Sequence, residues 1–179
     1  LDSSITNVRR FSKLLVIDLS SDYSVAIHLK MTGRVILEDI HHPEYRSEWE
    51  FEYRNHPHTH LIVEFESGSR LFFNDYRRFG TIQIIRSKDL PSLSYIKNLG
   101  KEFFTDLTSK EFYKSLQSTS RAIKIVLLDQ KKMAGVGNIY ANEALWRAKI
   151  HPELPAKKLS PKQSDTLFNN LETVMKESI

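Results

Sequence analysis

An α+β fold of two successive domains, an antiparallel β-sandwich followed by a helical domain, is what this 179-residue sequence predicts. Two observations carry the expectation. Between Ile5 and Arg86, short β-branched and aromatic runs alternate with turn signals; after Gly100 the apolar residues recur at helical spacing behind explicit helix-start signals. A third sets the scale: at 40% hydrophobic, the chain can bury one good core or two small ones, and no apolar run approaches membrane-spanning length.

The first half reads element by element. A short polar stretch after Leu1 leads into strand character. Strands are then expected at Leu14 to Leu19, Tyr23 to Leu29, Arg34 to Leu37, Leu61 to Phe65, Leu71 to Asn74 and Thr81 to Ile85. Ser20-Ser21-Asp22, Thr32-Gly33 and Glu66-Ser67-Gly68-Ser69 punctuate them, because these residues favour tight turns. His41 to Pro57 is charged and aromatic without a period and reads as a loop.

The second half carries capping signatures. Thr108-Ser109-Lys110-Glu111 predicts a capping box ahead of Phe112 and Leu116, whose i, i+4 spacing puts them on one face. Ser160-Pro161-Lys162-Gln163 repeats it, with Ser160 as N-cap, Pro161 first in the helix and Leu167, Leu171 and Val174 as a buried stripe. Ser120 is expected to cap a helix through Ile123, Val126 and Leu127, and Asn138 to Ala148 forms another. The domains are therefore drawn as residues 1–100 and 101–179, with the break near residues 98 to 106 and no repeat or low-complexity segment.

Charge and composition narrow the function classes. Lys and Arg outnumber Asp and Glu 26 to 22, a net +4, which favours a polyanionic partner. There is no cysteine, so neither a disulfide framework nor a thiolate zinc site exists within these residues. The sequence opens on Leu1 rather than Met and without the apolar run of a signal peptide, so it reads as a fragment.

The most informative stretch runs from Leu127 to Pro152, where Gly135-Val136-Gly137-Asn138 lies between two amphipathic patterns. Glycines let the backbone bend where a Cβ would clash, and a helix starting at Asn138 presents unpaired N–H groups and a positive dipole end, a site for a phosphate. A Gly-rich turn between helices is otherwise an ordinary corner. His58-Thr59-His60 places two imidazoles at i, i+2, the spacing of one strand face, but no third metal ligand has matching spacing.

Four segments in order, VRRFSKLL from Val8, HLKMTGR from His28, NDYRRFG from Asn74 and the run from Ile123 to Pro152 containing GVGNIYANEAL, resemble the formamidopyrimidine-DNA glycosylases. The resemblance spans almost the whole chain. It implies a β-sandwich joined to a helix-two-turn-helix domain that grips double-stranded DNA containing oxidised bases. It also implies a monomeric bacterial base-excision-repair enzyme, cytoplasmic and nucleoid-associated, that removes 8-oxoguanine and formamidopyrimidines as a glycosylase and AP lyase. Such enzymes extrude the damaged nucleotide and fill the space it leaves.

The same resemblance assigns roles. Met31, Arg77 and Phe79 would form the wedge, as adaptable thioether, hydrogen-bonding guanidinium and stacking ring. Lys13 would be catalytic, assisting proton transfer during strand elimination. His58 would contact the DNA backbone from the sandwich side, with Lys124 and Asn138 holding phosphates from the helical side and Glu143 ordering the hairpin. The pattern departs at Phe11, Ser12 and Leu14, where a basic contact is missing, and at Tyr76, which replaces a proline and removes its restraint on the turn before Arg77.

The family's nucleophile is an N-terminal proline next to a glutamate, and its zinc sits in a four-cysteine finger beyond the helical domain. Neither lies in these residues, so the chain is expected to be incomplete at both ends, to bind no cofactor and to be inactive alone. Pro152-Glu153-Leu154-Pro155 spells the family's opening tetrapeptide, but an internal proline nitrogen is an amide and cannot form an imine. The alternatives are a catalytically inactive DNA-binding module, the related oxidised-pyrimidine glycosylase, and an unrelated sandwich with helices used for protein contacts.

Overall fold

The structure, a computed structural model, describes residues 3–42 and 56–178. Residues 43–55 of the expected loop from His41 to Pro57 lie outside these described residues. The chain divides into two compact units, Leu1–Leu90 and Pro91–Ile179. The division precedes the break at residue 100 read from the sequence because the intervening segment is tied forward: the Gly100 N–H donates to the Gln130 carbonyl at 2.8 Å.

The first unit contains two antiparallel sheets. β1 (Ile5–Phe11), β2 (Leu14–Leu19), β3 (Tyr23–His28) and β7 (Thr81–Arg86) form one sheet in the order β1-β2-β3-β7. β4 (Gly33–Glu38), β6 (Arg70–Asp75) and β5 (Thr59–Glu64) form the other in the order β4-β6-β5. Alternate residues of β2, β3 and β6 turn inward, so Ile17, Ile27 and Phe73 meet in one core with Leu15, Val25, Val35, Leu71 and Ile82 packed against it. The six expected strands are present within one or two residues. β1 was not separately expected, because Ile5–Phe11 is polar and mostly exposed and forms only through its pairing with β2.

The second unit is helical. α1 (Ser109–Gln117) and α4 (Pro161–Lys176) start with the expected capping boxes. Thr108 and Ser160 accept the N–H groups of Glu111 and Gln163, whose side chains accept the N–H groups of Thr108 and Ser160 in return. Lys101 beside the Glu111 carboxylate, followed by the Thr108 contacts, holds that carboxyl down to about 2. Phe112, Leu116, Leu167 and Leu171 are buried in one core with Phe103, Val126 and Leu127.

α2 (Ile123–Leu127) departs from expectation at its start. Its N-cap is Ala122, not Ser120, and no side chain caps it. The chain ahead of it is instead bridged to the segment around Pro155: Ala156 N–H donates to the Arg121 carbonyl, and Ile123 N–H to that of Leu154. Tertiary backbone pairing thus replaced the local cap. α3 (Asn138–Arg147) follows, and two-residue strands β8 (Lys101–Glu102) and β9 (Met133–Ala134) pair in parallel.

Ser164, fully enclosed in α4, has an Oγ without a hydrogen-bond partner among the described residues. An unpaired buried hydroxyl is destabilising, and alanine is the better helix former. Ser164→Ala is expected to stabilise the helical unit by about 1 kcal/mol, seen as a higher urea midpoint at unchanged slope. An unchanged or lower midpoint would show that the hydroxyl is satisfied in solution.

Candidate nucleic-acid interface

Strand register brings five of the seven expected site residues to one rim of the first unit. Leu14 pairs with His28 and His28 with Thr81, so the Ser12-Lys13 turn, the turn after His28 and the segment before Thr81 share an end of the first sheet. In the second sheet Gly33 pairs with Asp75 and Thr59 with Asn74, which brings the ends of β4, β5 and β6 to a common edge. Lys13, Met31, His58, Arg77 and Phe79 all occupy the turns leaving these strands. Lys13 sits exposed at the tip of the β1–β2 hairpin, after Ser12 at φ 57°.

Three of them touch. The Arg77 guanidinium donates to the Met31 sulfur at 3.3 Å and lies 4.8 Å above the Phe79 ring. Met31 is 68% exposed and Phe79 52%, so neither serves the core. A charged group packed on two apolar groups that face water is poised for a partner offering both stacking surface and hydrogen-bond acceptors.

Asp75 holds that arrangement. Its carboxylate is fully buried, accepts the Thr32 hydroxyl and the Arg77 N–H (3.3 Å) on one oxygen, and accepts the Gly80 N–H (2.7 Å) on the other. Thr32 Oγ1 also accepts the Arg77 N–H at 3.1 Å. These hydrogen bonds, the Thr32 hydroxyl first and the Gly80 N–H next, keep the Asp75 carboxyl below the usual aspartate value, against the opposing effect of burial. These hydrogen bonds restrain the turn in which Tyr76 stands. Gly80 is required here: a Cβ would lie 2.7 Å from Phe73 Cζ and 3.0 Å from Asp75 Oδ2.

The histidines divide their work. A bulge between Thr59 and Leu61 interrupts the alternation. His60 Nε2 donates to the Asp75 carbonyl at 2.9 Å, whereas the His58 ring packs on Tyr76. Among the described residues no group of three or more His, Asp or Glu side chains is placed to hold a metal. Burial first, then the charges of Lys30 and Lys13, hold the His28 imidazole below its usual value.

In the second unit, Asn138 is exposed at the first position of α3, behind Gly137 as an N-cap without a side-chain hydrogen bond. Gly135 at φ +96° makes the bend. Gln130 clamps it: Oε1 accepts the Gly135 N–H at 3.0 Å, and Nε2 donates to the carbonyls of Val136 (2.9 Å) and Leu128 (3.2 Å). Lys124 is half-buried in α2, on a different helix from Asn138. Glu143 accepts from Arg147 at 2.9 Å, and Arg147 also pairs with Glu177, tying the end of α3 to the end of α4.

Two family models match this chain, the formamidopyrimidine-DNA glycosylase N-terminal domain over residues 1–82 and the formamidopyrimidine-DNA glycosylase H2TH domain over residues 99–179. The chain belongs to the formamidopyrimidine-DNA glycosylase family. A formamidopyrimidine-DNA glycosylase of Rickettsia massiliae is 36% identical over 180 residues, covering 100% of this chain and 60% of the relative. The Lactococcus lactis formamidopyrimidine-DNA glycosylase, in non-covalent complex with DNA containing an AP site, superposes with TM-score 0.81 at 30% identity, covering 99% of this chain and 64% of that one. The Thermus thermophilus protein superposes equally well at 33% identity, covering 98% and 60%. The chain thus spans about three fifths of the length of these family members.

Within this glycosylase-family chain, sequence reasoning named the exposed Met31, Arg77 and Phe79 and missed their supports. Asp75 lay inside the quoted NDYRRFG motif and Gln130 just ahead of the GVGN turn. The available signal was chemical: an acid two residues before a basic turn residue, and an amide five residues before a Gly, are the partners that unpaired turn N–H groups require.

Proposed function

We propose that the whole protein is a base-excision-repair DNA glycosylase and AP lyase that removes oxidised purines by extruding the damaged nucleotide. The observation that carries this reading is the Arg77 guanidinium held between the Met31 sulfur and the Phe79 ring on an exposed rim. An extruded nucleotide leaves a gap that must be refilled to offset an unstacking cost of roughly a few kcal/mol, and a thioether, a donor fork and a flat ring suit that gap. The uncapped start of α3, with Asn138 beside it, fits a phosphate without reading sequence, as repair of lesions anywhere requires. Lys124 and His58 add donors to backbone phosphates, and Lys13 is placed to move a proton during strand cleavage.

The chemistry begins with a secondary amine displacing the base from C1′ of the lesion nucleotide, the glycosidic electron pair leaving with the base; opening of the C1′–O4′ bond then gives an iminium ion, which borohydride reduces to a stable adduct. Each of the six prolines here is internal, with an amide nitrogen. Full-length protein is therefore expected to be trapped covalently by borohydride on an 8-oxoguanine duplex, and this polypeptide alone is not. In the full-length protein Arg77→Ala should slow excision at least about tenfold. Failure to trap the full-length protein on any lesion, with salt-dependent DNA binding retained, would leave the binding-module reading; preference for thymine glycol over 8-oxoguanine would favour the pyrimidine branch.

A further inference from the structure

Tyr76 is an aromatic side chain of the rim turn used by neither the core nor the Met31-Arg77-Phe79 contact. It stands between buried Asp75 and exposed Arg77 and is itself 69% exposed. It is nonetheless supported. The His58 ring packs against it at 4.4 Å and 67°, and His56 lies 5.3 Å from His58, so three rings run in a ladder from His56 out to Tyr76.

The base of the ladder is fixed by polar contacts. His56 Nδ1 accepts the His58 N–H at 3.2 Å and lies 3.1 Å from the Asn74 amide. The Asp75 N–H donates to the His58 carbonyl at 2.9 Å. His58 Nδ1 is enclosed without a hydrogen-bond partner among the described residues, so packing against Tyr76 and His56 sets that ring. A ring held in advance loses little rotational freedom when something stacks on it.

The surroundings specify what stacks. Arg77 and Arg78 follow Tyr76 and are exposed, with Lys13 and Lys30 on the same rim, while the one carboxylate in the turn, Asp75, is buried and fully engaged. Exposed aromatic surface amid cations matches a polyanion carrying planar rings.

We propose that Tyr76 is a second stacking surface of the rim, taking an unpaired nucleobase on its exposed face while Phe79 and Arg77 occupy the gap left by the extruded nucleotide. This rests on the extrusion reading above. A contact of this kind makes binding depend on an unpaired base and not on charge alone, so Tyr76 adds to lesion discrimination without adding to the salt dependence.

The test compares affinities of full-length protein for a fully paired duplex and for one carrying a stable abasic-site analogue, whose opposite base is unpaired. Tyr76→Ala should weaken binding to the abasic duplex by about 5- to 150-fold, the range for one stacked base, while Tyr76→Phe binds like the parent and the paired duplex changes by less than about twofold. Tyr76→Pro separates stacking from turn rigidity: it keeps the turn restrained but removes the ring, and should lose as much as Tyr76→Ala. Recovery of parental affinity by Tyr76→Pro, undiminished abasic binding by Tyr76→Ala, or an equal loss on both duplexes would each overturn the proposal. If Arg77→Ala and Phe79→Ala abolish the abasic preference and Tyr76→Ala does not, extrusion stands and only the stacking role of Tyr76 fails.

Discussion

Replacing Asp75 with alanine is expected to cost the full-length protein about a hundredfold in affinity for an abasic duplex, and to lower the melting temperature of the first unit by about 10 °C. The reason is that one carboxylate organises the rim turn. Alanine leaves the Thr32 hydroxyl and the Arg77 and Gly80 N–H groups without their shared acceptor in a site closed to water. Arg78, held at φ 59° in the same turn, then has little reason to stay in the left-handed region, and the Arg77 contacts to Met31 and Phe79 are released. A variant that melts and binds like the parent would show that the turn is organised elsewhere.

The same group predicts a pH dependence with a definite sign. The native carboxyl lies below its ordinary value, so its stabilising contribution is complete above the unfolded value of about 3.9 and is lost as pH falls through the lowered native one. The rim should hold throughout the neutral range and fail only in acid. Asp75→Asn, which cannot ionise, should lose that part of the acid dependence and start from lower stability, because its amide presents a donor to other donors. Thermal melts of both proteins between about pH 2 and 7 would read the difference.

Phe112→Ala is expected to destabilise the helical unit by about 3–5 kcal/mol, the range for deleting a buried aromatic ring. Phe112 is fully buried and meets the rings of Phe103 and Phe168 at 6.1 and 5.5 Å. These two neighbours lie on separate segments, one after β8 and one in α4, so the cavity cannot close by moving one of them. Chemical denaturation followed by helical signal measures the loss, and a cost below about 1 kcal/mol would mean that this core repacks freely.

These effects differ in how far they could be read in advance. Phe112 was legible as a core residue because Thr108 and Glu111 announce the helix and Leu116 repeats its face, and both relations are local. Asp75 was not, because its partners Thr32 and Gly80 come from different turns and meet only when β4 pairs with β6 and β3 with β7. The misplaced cap at Ser120 has the same origin: a sequence window offers a serine ahead of a helix, while the fold offers the backbone around Pro155.

By itself, the sequence determined the change from strand to helix periodicity, the two capping boxes and the glycine bend before Asn138, since each depends on neighbours a few positions away. Only the tertiary structure decided that Met31, Arg77 and Phe79 meet on one exposed rim, that Asp75 and Gln130 hold the two turns, and that Tyr76 is braced by His58. Those contacts join residues 18 to 46 positions apart or depend on a side chain's aim within a turn, and periodicity carries no information about either.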